Sequence, residues 1–313
     1  MKRFTRNIVI IIVATLVCIM LYNQMYLYCF TKEEKDHSRY SAIKFQHVPS
    51  NIEVANIGSS HGVHSFNYEK YDDMSCFNFA LLGQTLSYDW RILQNYGDNM
   101  KAGSVLFIPI SYFSLYCRDE ILLNNFESKN ETYYKILSPS LVKNYSPMKG
   151  FLLKYCQAIS YSPDVAIITA IKSKHVNAQN DEMKDTKDFK LSAENAYRNH
   201  YLENLNDGKL VVNKEEMDAL VHIIEYCKEN GIRPILITTP FRQEYNEKWD
   251  EDFYEMFYSD IEQIVSETDV EYYDYSHDVR FTSNESFFVD ADHLNDDGAK
   301  SFTSIVFKEV LKK

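Results

Sequence analysis

The sequence predicts an α/β protein: a three-layer sandwich around a central, mostly parallel sheet of about five strands, preceded by one transmembrane helix. Two observations carry the sandwich. From Glu53 onward, short apolar runs alternate with amphipathic helical stretches, a pattern that covers a parallel sheet on both faces. In the clearest case a capped helix leads straight into an apolar strand, as βα units require. A third observation, a basic start followed by a long apolar run, places the membrane segment in front.

Lys2, Arg3 and Arg6 precede apolar residues from Ile8 to Tyr22, and the apolar character resumes from Met25 to Phe30. At about 1.5 Å per residue this stretch is long enough to cross a hydrocarbon core about 30 Å thick. No small-x-small cleavage site follows it, so the reading is an uncleaved anchor rather than a removed signal peptide. The basic start keeps the amino end inside, and everything beyond residue 31 is expected outside the membrane. The predicted organisation is an anchor at 1–30, a linker at 31–50 and one domain at 51–313, with a largely helical insertion at about 113–212.

Five core strands are expected near Glu53–Ile57, Cys76–Leu81, Ser104–Ile110, Pro234–Thr238 and Val270–Tyr275. The helix Lys214–Asn230 has Asn213 as its cap and an apolar stripe of Met217, Leu220, Val221, Ile224 and Cys227, and Gly231 stops it. A second helix over Trp249–Ser266 carries Phe253, Met256, Phe257, Ile261, Ile264 and Val265 on one side. A last helix carries Phe302, Ile305, Val306 and Val310. Within the insertion, Phe151–Lys172 reads as helical and Asn177–Asp188 as polar and irregular.

The chain has 313 residues and a formal net charge of −12, with Lys and Arg clustered only in short runs. That balance argues against a nucleic-acid partner, which needs a cationic surface. The cysteines of the outer part, Cys76, Cys117, Cys156 and Cys227, lack paired spacing, so neither a zinc site nor a disulfide framework is read from them. Cys76 and Cys227 are expected as buried thiols. His61 and His64 sit three apart without a third ligand nearby in sequence. No metal or other cofactor is expected.

Two segments can carry chemistry. The first strand runs into Gly58-Ser59-Ser60-His61, a tight turn at the carboxyl edge of a parallel sheet, where such folds expose reactive side chains. Near the other end, Asp290 precedes His293 by three residues in a turn that enters the last helix. A carboxylate so placed can hold the imidazole Nδ1–H and leave Nε2 as a general base. Read alone, the first segment is also a plain turn, and the second also a helix cap beside a surface histidine.

Together, Gly58-Ser59-Ser60 and Asp290-x-x-His293 resemble the first and last blocks of the SGNH/GDSL hydrolase superfamily, whose fold is flavodoxin-like. The resemblance implies Ser60 as nucleophile, His293 as base and Asp290 as its acid partner. It also implies Gly83, just past the second strand, as an oxyanion donor. The family's third block, Gly-x-Asn-Asp, is replaced here by Pro109-Ile110-Ser111-Tyr112, leaving Ser111, Gln84 or a backbone N–H as the third donor. Ser59 in the second position of the first block, together with the anchor, resembles the membrane-anchored D-alanyl transfer proteins of teichoic-acid synthesis and the polysaccharide O-acetylation proteins. The implied function is a serine esterase or O-acyltransferase acting outside the membrane on acyl esters of envelope polysaccharide or teichoic-acid-like polymers, with a membrane-bound acyltransferase as partner. The alternative is a catalytically silent protein of the same fold that holds an envelope glycan or a membrane acyltransferase.

Overall fold

A computed structural model describes residues 2–36, 42–118, 131–155 and 188–312. The chain divides into two units, Met1–Lys44 with Ser128–Asp185 and Phe45–Glu127 with Thr186–Lys313. In the first, helix α1 spans Lys2–Asp36. Its apolar segment Arg3–Met25 is 23 residues long, about 35 Å of helix, and fits a single-pass membrane anchor. Of Phe151–Lys172, expected to be helical, the first five residues end the helix Pro147–Tyr155 and 156–172 lie outside the described residues, as do 177–187 of the stretch expected to be irregular.

The second unit holds the sheet. Strands β1 (Ile52–Asn56), β2 (Cys76–Asn78), β3 (Met100–Pro109), β4 (Arg233–Thr238) and β5 (Glu271–Asp274) lie in the order β2-β1-β3-β4-β5. Every neighbouring pair is parallel, as the alternation predicts. On β3 successive side chains serve opposite faces. Val105 and Phe107 join a cluster with Val54, Ile235, Phe302 and Val306, while Leu106 and Ile108 are buried on the other side. Burial on both faces is what makes this strand apolar throughout.

Helices α2 (Ser60–Ser65), α3 (Leu86–Tyr96), α4 (Phe189–His200), α5 (Lys214–Glu229), α6 (Glu251–Thr268) and α7 (Asp296–Val306) surround the sheet. Packing pairs α7 with α2, and α3 with α5. Asn213 caps α5 by accepting from the N–H groups of Glu215 and Glu216 at 2.9 and 3.4 Å. The buried stripe of α5 is Ala219, Leu220, Ile223, Ile224 and Cys227, one position round from expectation, with Met217 and Val221 half-buried. The reason is Glu216, whose carboxylate turns inward to accept the N–H of Ser87 at 3.1 Å at the start of α3. Cys227 is buried and Cys76 half-buried, both as free thiols, and burial pushes the Cys227 thiol up to about 12.

The strand order reverses between β1 and β3: the chain leaves β1 for β2 at one edge and returns to β3 on the far side. Such a switch opens a crevice at the carboxyl ends of the two strands. The turn after β1 carries Gly58 to Ser60, and the segment after β3 carries Ser111.

Candidate active site

Ser60 is the first residue of α2, and Ser59 occupies the N-cap position without a side-chain capping bond. The turn is compact. Gly58 has φ +118°, a conformation open to glycine and strained for other residues, and a Cβ on Gly62 would stand 2.6 Å from the carbonyl oxygen of Ile57. Both glycines let the helix start hard against the strand end. The Ser60 N–H belongs to the first turn of α2, where amides have no acceptor within the helix.

On the other side of the crevice, residues 288–294 form a closed loop before α7, fixed by the Phe288–Leu294 bridge and by a bond from Val289 N–H to the His293 carbonyl at 2.9 Å. Asp290 organises its interior, accepting the N–H groups of Asp292 and His293 at 3.1 and 2.9 Å. Helix α7 is capped by Asn295, which accepts from Gly298 N–H at 2.9 Å. Capping therefore falls to Asn295, not to Asp290 or Asp292.

His293 joins the two halves. Its Nε2 is 2.8 Å from Ser60 Oγ, and its Nδ1 lies 3.0 Å from both carboxylate oxygens of Asp290. With a carboxylate facing Nδ1, the neutral ring carries its proton there and presents a lone pair to the serine hydroxyl. Burial pulls His293 down, but the charge of Asp292 and the hydrogen bond and charge of Asp290 outweigh it, raising the imidazole to about 9.

The remaining expected site residues lie close by. Gly83 has φ +65° in the turn after β2, which is closed by Gln84 N–H donating to Leu81 O at 3.0 Å. Gln84 is buried, and its amide donates to Asp89 Oδ1 at 2.6 Å and toward the carbonyls of Gly58 and Phe79 at 3.4 Å. Ser111 is also buried, its Oγ 2.5 Å from His61 Nδ1. Both side chains thus brace the floor of the site with their polar atoms.

Two features of that floor escape sequence reasoning. The first is Asp89 in the opening turn of α3, fully buried, whose carboxylate accepts the Gly58 N–H at 2.7 Å. Burial pushes its pKa up to about 7 against the opposing bonds from Gln84 and Gly58, with the charge of Glu216 adding to the rise. Asp89→Ala removes the acceptor of Gly58 and is expected to cost about 1–3 kcal/mol, whereas Asp89→Asn keeps a carbonyl oxygen and should cost less. The folded state retains the Asp89 proton above the ordinary value of 3.8, so its contribution to stability is complete below that pH and is lost as pH rises through about 7. Urea unfolding between pH 4 and 8 should lose stability with rising pH more steeply in the wild type than in Asp89→Asn.

The second is a group of imidazoles around Asp292. His61 Nε2 lies 3.1 Å from Asp292 Oδ2, His293 Nδ1 3.5 Å from Asp292 Oδ1, and His200 Nδ1 3.9 Å from Asp292 Oδ2. Phe113 stacks on His200 with ring centroids 4.1 Å apart, and Phe241 packs against His61 at 5.1 Å. Among the described residues, His61, Asp292 and His293 are the set whose donor atoms gather closely enough, within 4.8 Å, to invite a metal. Each of these side chains already has a hydrogen-bond partner in the protein, which suits a proton-bearing network better than a ligand set. Adjacent Asp292-His293 and Ser60-His61 are visible in the sequence, but nothing there shows that they converge.

Comparison with known proteins gives one family match: a model for the DltD protein aligns with residues 157–299, a stretch that includes Asp290 and His293 but not Ser60. A search of curated proteins gives no match. Among solved structures, a Streptococcus pneumonia protein provisionally named as a platelet activating factor aligns over 95% of this chain and 96% of its own, with 11% identity and a TM-score of 0.40.

Proposed function

We propose that this chain is an extracytoplasmic serine acyltransferase that takes an acyl group from an ester and passes it to a hydroxyl of a teichoic-acid-like envelope polymer. The observation that carries the reading is the alignment of Ser60, His293 and Asp290, with His293 Nε2 at 2.8 Å from the hydroxyl and Nδ1 at 3.0 Å from the carboxylate. The match to the DltD protein supports the polymer class, and the apolar helix Arg3–Met25 supports a membrane-tethered location.

In this mechanism the Ser60 proton moves to His293 Nε2 as Oγ attacks the ester carbonyl. The backbone N–H groups of Ser60 and Gly83 receive the oxyanion, the donor's C–O bond breaks, and His293 returns the proton to the departing alkoxide. The polymer hydroxyl then repeats the sequence on the acyl-serine and regenerates Ser60. Asp290 holds the ring and stabilises the imidazolium that forms at each step.

The test supplies the full-length protein in detergent with an activated D-alanyl ester, alone and with teichoic acid. Intact-mass measurement should find one acyl group on Ser60, discharged onto the polymer faster than onto water. Hydrolysis that the polymer neither slows nor diverts would make the protein a plain esterase. Tight polymer binding with no acyl adduct under any condition would make it a silent binding protein.

A further inference from the structure

We propose that Asp292 is a positioning residue of this site: a second, buried carboxylate shared between His61 and His293 that sets the orientation and protonation of the imidazole facing Ser60. The inference rests on the triad reading above and adds a residue that the Asp-x-x-His spacing does not supply.

Geometry separates the two carboxylates. The Asp290 side chain is 38% exposed and faces His293 Nδ1 from the rim, whereas that of Asp292 is 4% exposed and faces the same ring from below. Solvent screens the first charge and not the second. Asp292 in turn is held by His61, which is completely buried and whose other nitrogen meets Ser111. If Asp292 is ionised, His61 must donate from Nε2, so its Nδ1 accepts the Ser111 hydroxyl proton. The chain Ser111–His61–Asp292 then runs hydroxyl to imidazole to carboxylate, parallel to Ser60–His293–Asp290 and joined to it at His293.

Among the described residues, the titratable groups around the His293 ring are Asp290 and Asp292 from its own loop, His61 and His64 from α2, and His200 from α4 beyond Asp292. Burial holds His200 down to about 4 and keeps His61 below its ordinary value, so both are neutral near pH 7. For Asp292, burial alone would favour the neutral acid, but the charge of His293 and the bond from His61 prevail and keep it ionised. One net proton therefore belongs to His293, and the negative charge nearest to it in the dry interior is that of Asp292.

The sign of the consequence follows. Below its own titration point His293 carries a proton on Nε2 and cannot take one from Ser60, so acylation should slow about tenfold per pH unit on the acid side of about 9. Removing the buried charge should move that point to lower pH.

The test uses full-length protein with 15N-labelled histidine in detergent, titrated by NMR, alongside the pH dependence of Ser60 modification by a fluorophosphonate. In the wild type, His293 should titrate near 9, and labelling should rise through the same pH. Asp292→Asn should lower both midpoints by about 1–3 pH units. His61→Gln, which leaves the Asp292 charge in place, should keep the midpoint high. An unmoved midpoint in Asp292→Asn, or a wild-type His293 titrating at its ordinary value, would overturn the proposal. Should Asp292→Asn fail to fold, the His293 titration in Asp290→Asn decides it: a midpoint still above the ordinary histidine value is expected, and a fall to that value would overturn the proposal. Stoichiometric zinc lost on His61→Gln substitution would also overturn it, by making Asp292 a ligand. Absence of Ser60 labelling at every pH would defeat the triad reading instead, and the His293 titration would remain readable.

Discussion

Replacing Ser60 by alanine is expected to lower acyl transfer by about 10⁴- to 10⁶-fold, the loss seen when the nucleophile of a cooperating triad is removed. Ser60 is half-buried and its hydroxyl meets His293, so the substitution removes one hydrogen bond and little packing. Thermal unfolding should therefore change little while fluorophosphonate labelling disappears. Ser59→Ala is the control, because the Ser59 side chain makes no capping bond and its residue stands outside the helix that begins with Ser60. Full labelling in Ser60→Ala with none in Ser59→Ala would transfer the role to Ser59. His293→Ala should fall as far as Ser60→Ala, and the double variant hardly further, because the two groups act as one unit.

Phe302→Ala should produce the largest loss of stability, about 3–5 kcal/mol. The ring is fully buried and meets Phe66, Tyr275 and Phe281 at centroid distances of 5.7, 5.3 and 5.8 Å. A domain of ordinary stability has only about 5–15 kcal/mol in hand, so this variant should approach its unfolding threshold at working temperature. Phe302 also anchors α7 immediately after the loop of Asp290 and His293, so activity should fall with the midpoint of unfolding. Val279→Ala, at a side chain 78% exposed, should change stability by less than about 0.5 kcal/mol. Equal urea midpoints for the two variants would show that the α7 contacts do not hold the sheet unit together.

The strands were readable because a parallel sheet buries both faces, leaving apolar runs such as Val105–Ile110 with nothing else to mean. Their limits were less so: β2 stops at Asn78, although Phe79 and Leu81 still donate their N–H groups to the Asn56 and Gly58 carbonyls. Ser60, Asp290 and His293 were legible as two short motifs whose spacing has a chemical reason. Asp89 was not, because a carboxylate in the first turn of a helix ordinarily complements the helix dipole from the surface. Only the tertiary placement of α3 beneath Gly58 makes it a buried acceptor. The His61–Asp292 pair was hidden for a similar reason. Its partners are 231 residues apart, and neither residue type announces an interior position.

The separation of Ser60 from His293, 233 residues along the chain, also governs when the two side chains can meet during synthesis. A nascent polypeptide that has already exposed its serine must be extended through Val306 before α7 can dock on α2. Thr303 completes that docking: its hydroxyl oxygen accepts the Asn67 N–H at 2.9 Å, just beyond the helix that bears Ser60. Until this latch closes, the serine has only the reactivity of a free alcohol, and such a non-local closure is among the slower steps of folding. On the proposed mechanism, activation is thus written into chain order, and a product cut short before α7 would stay chemically mute.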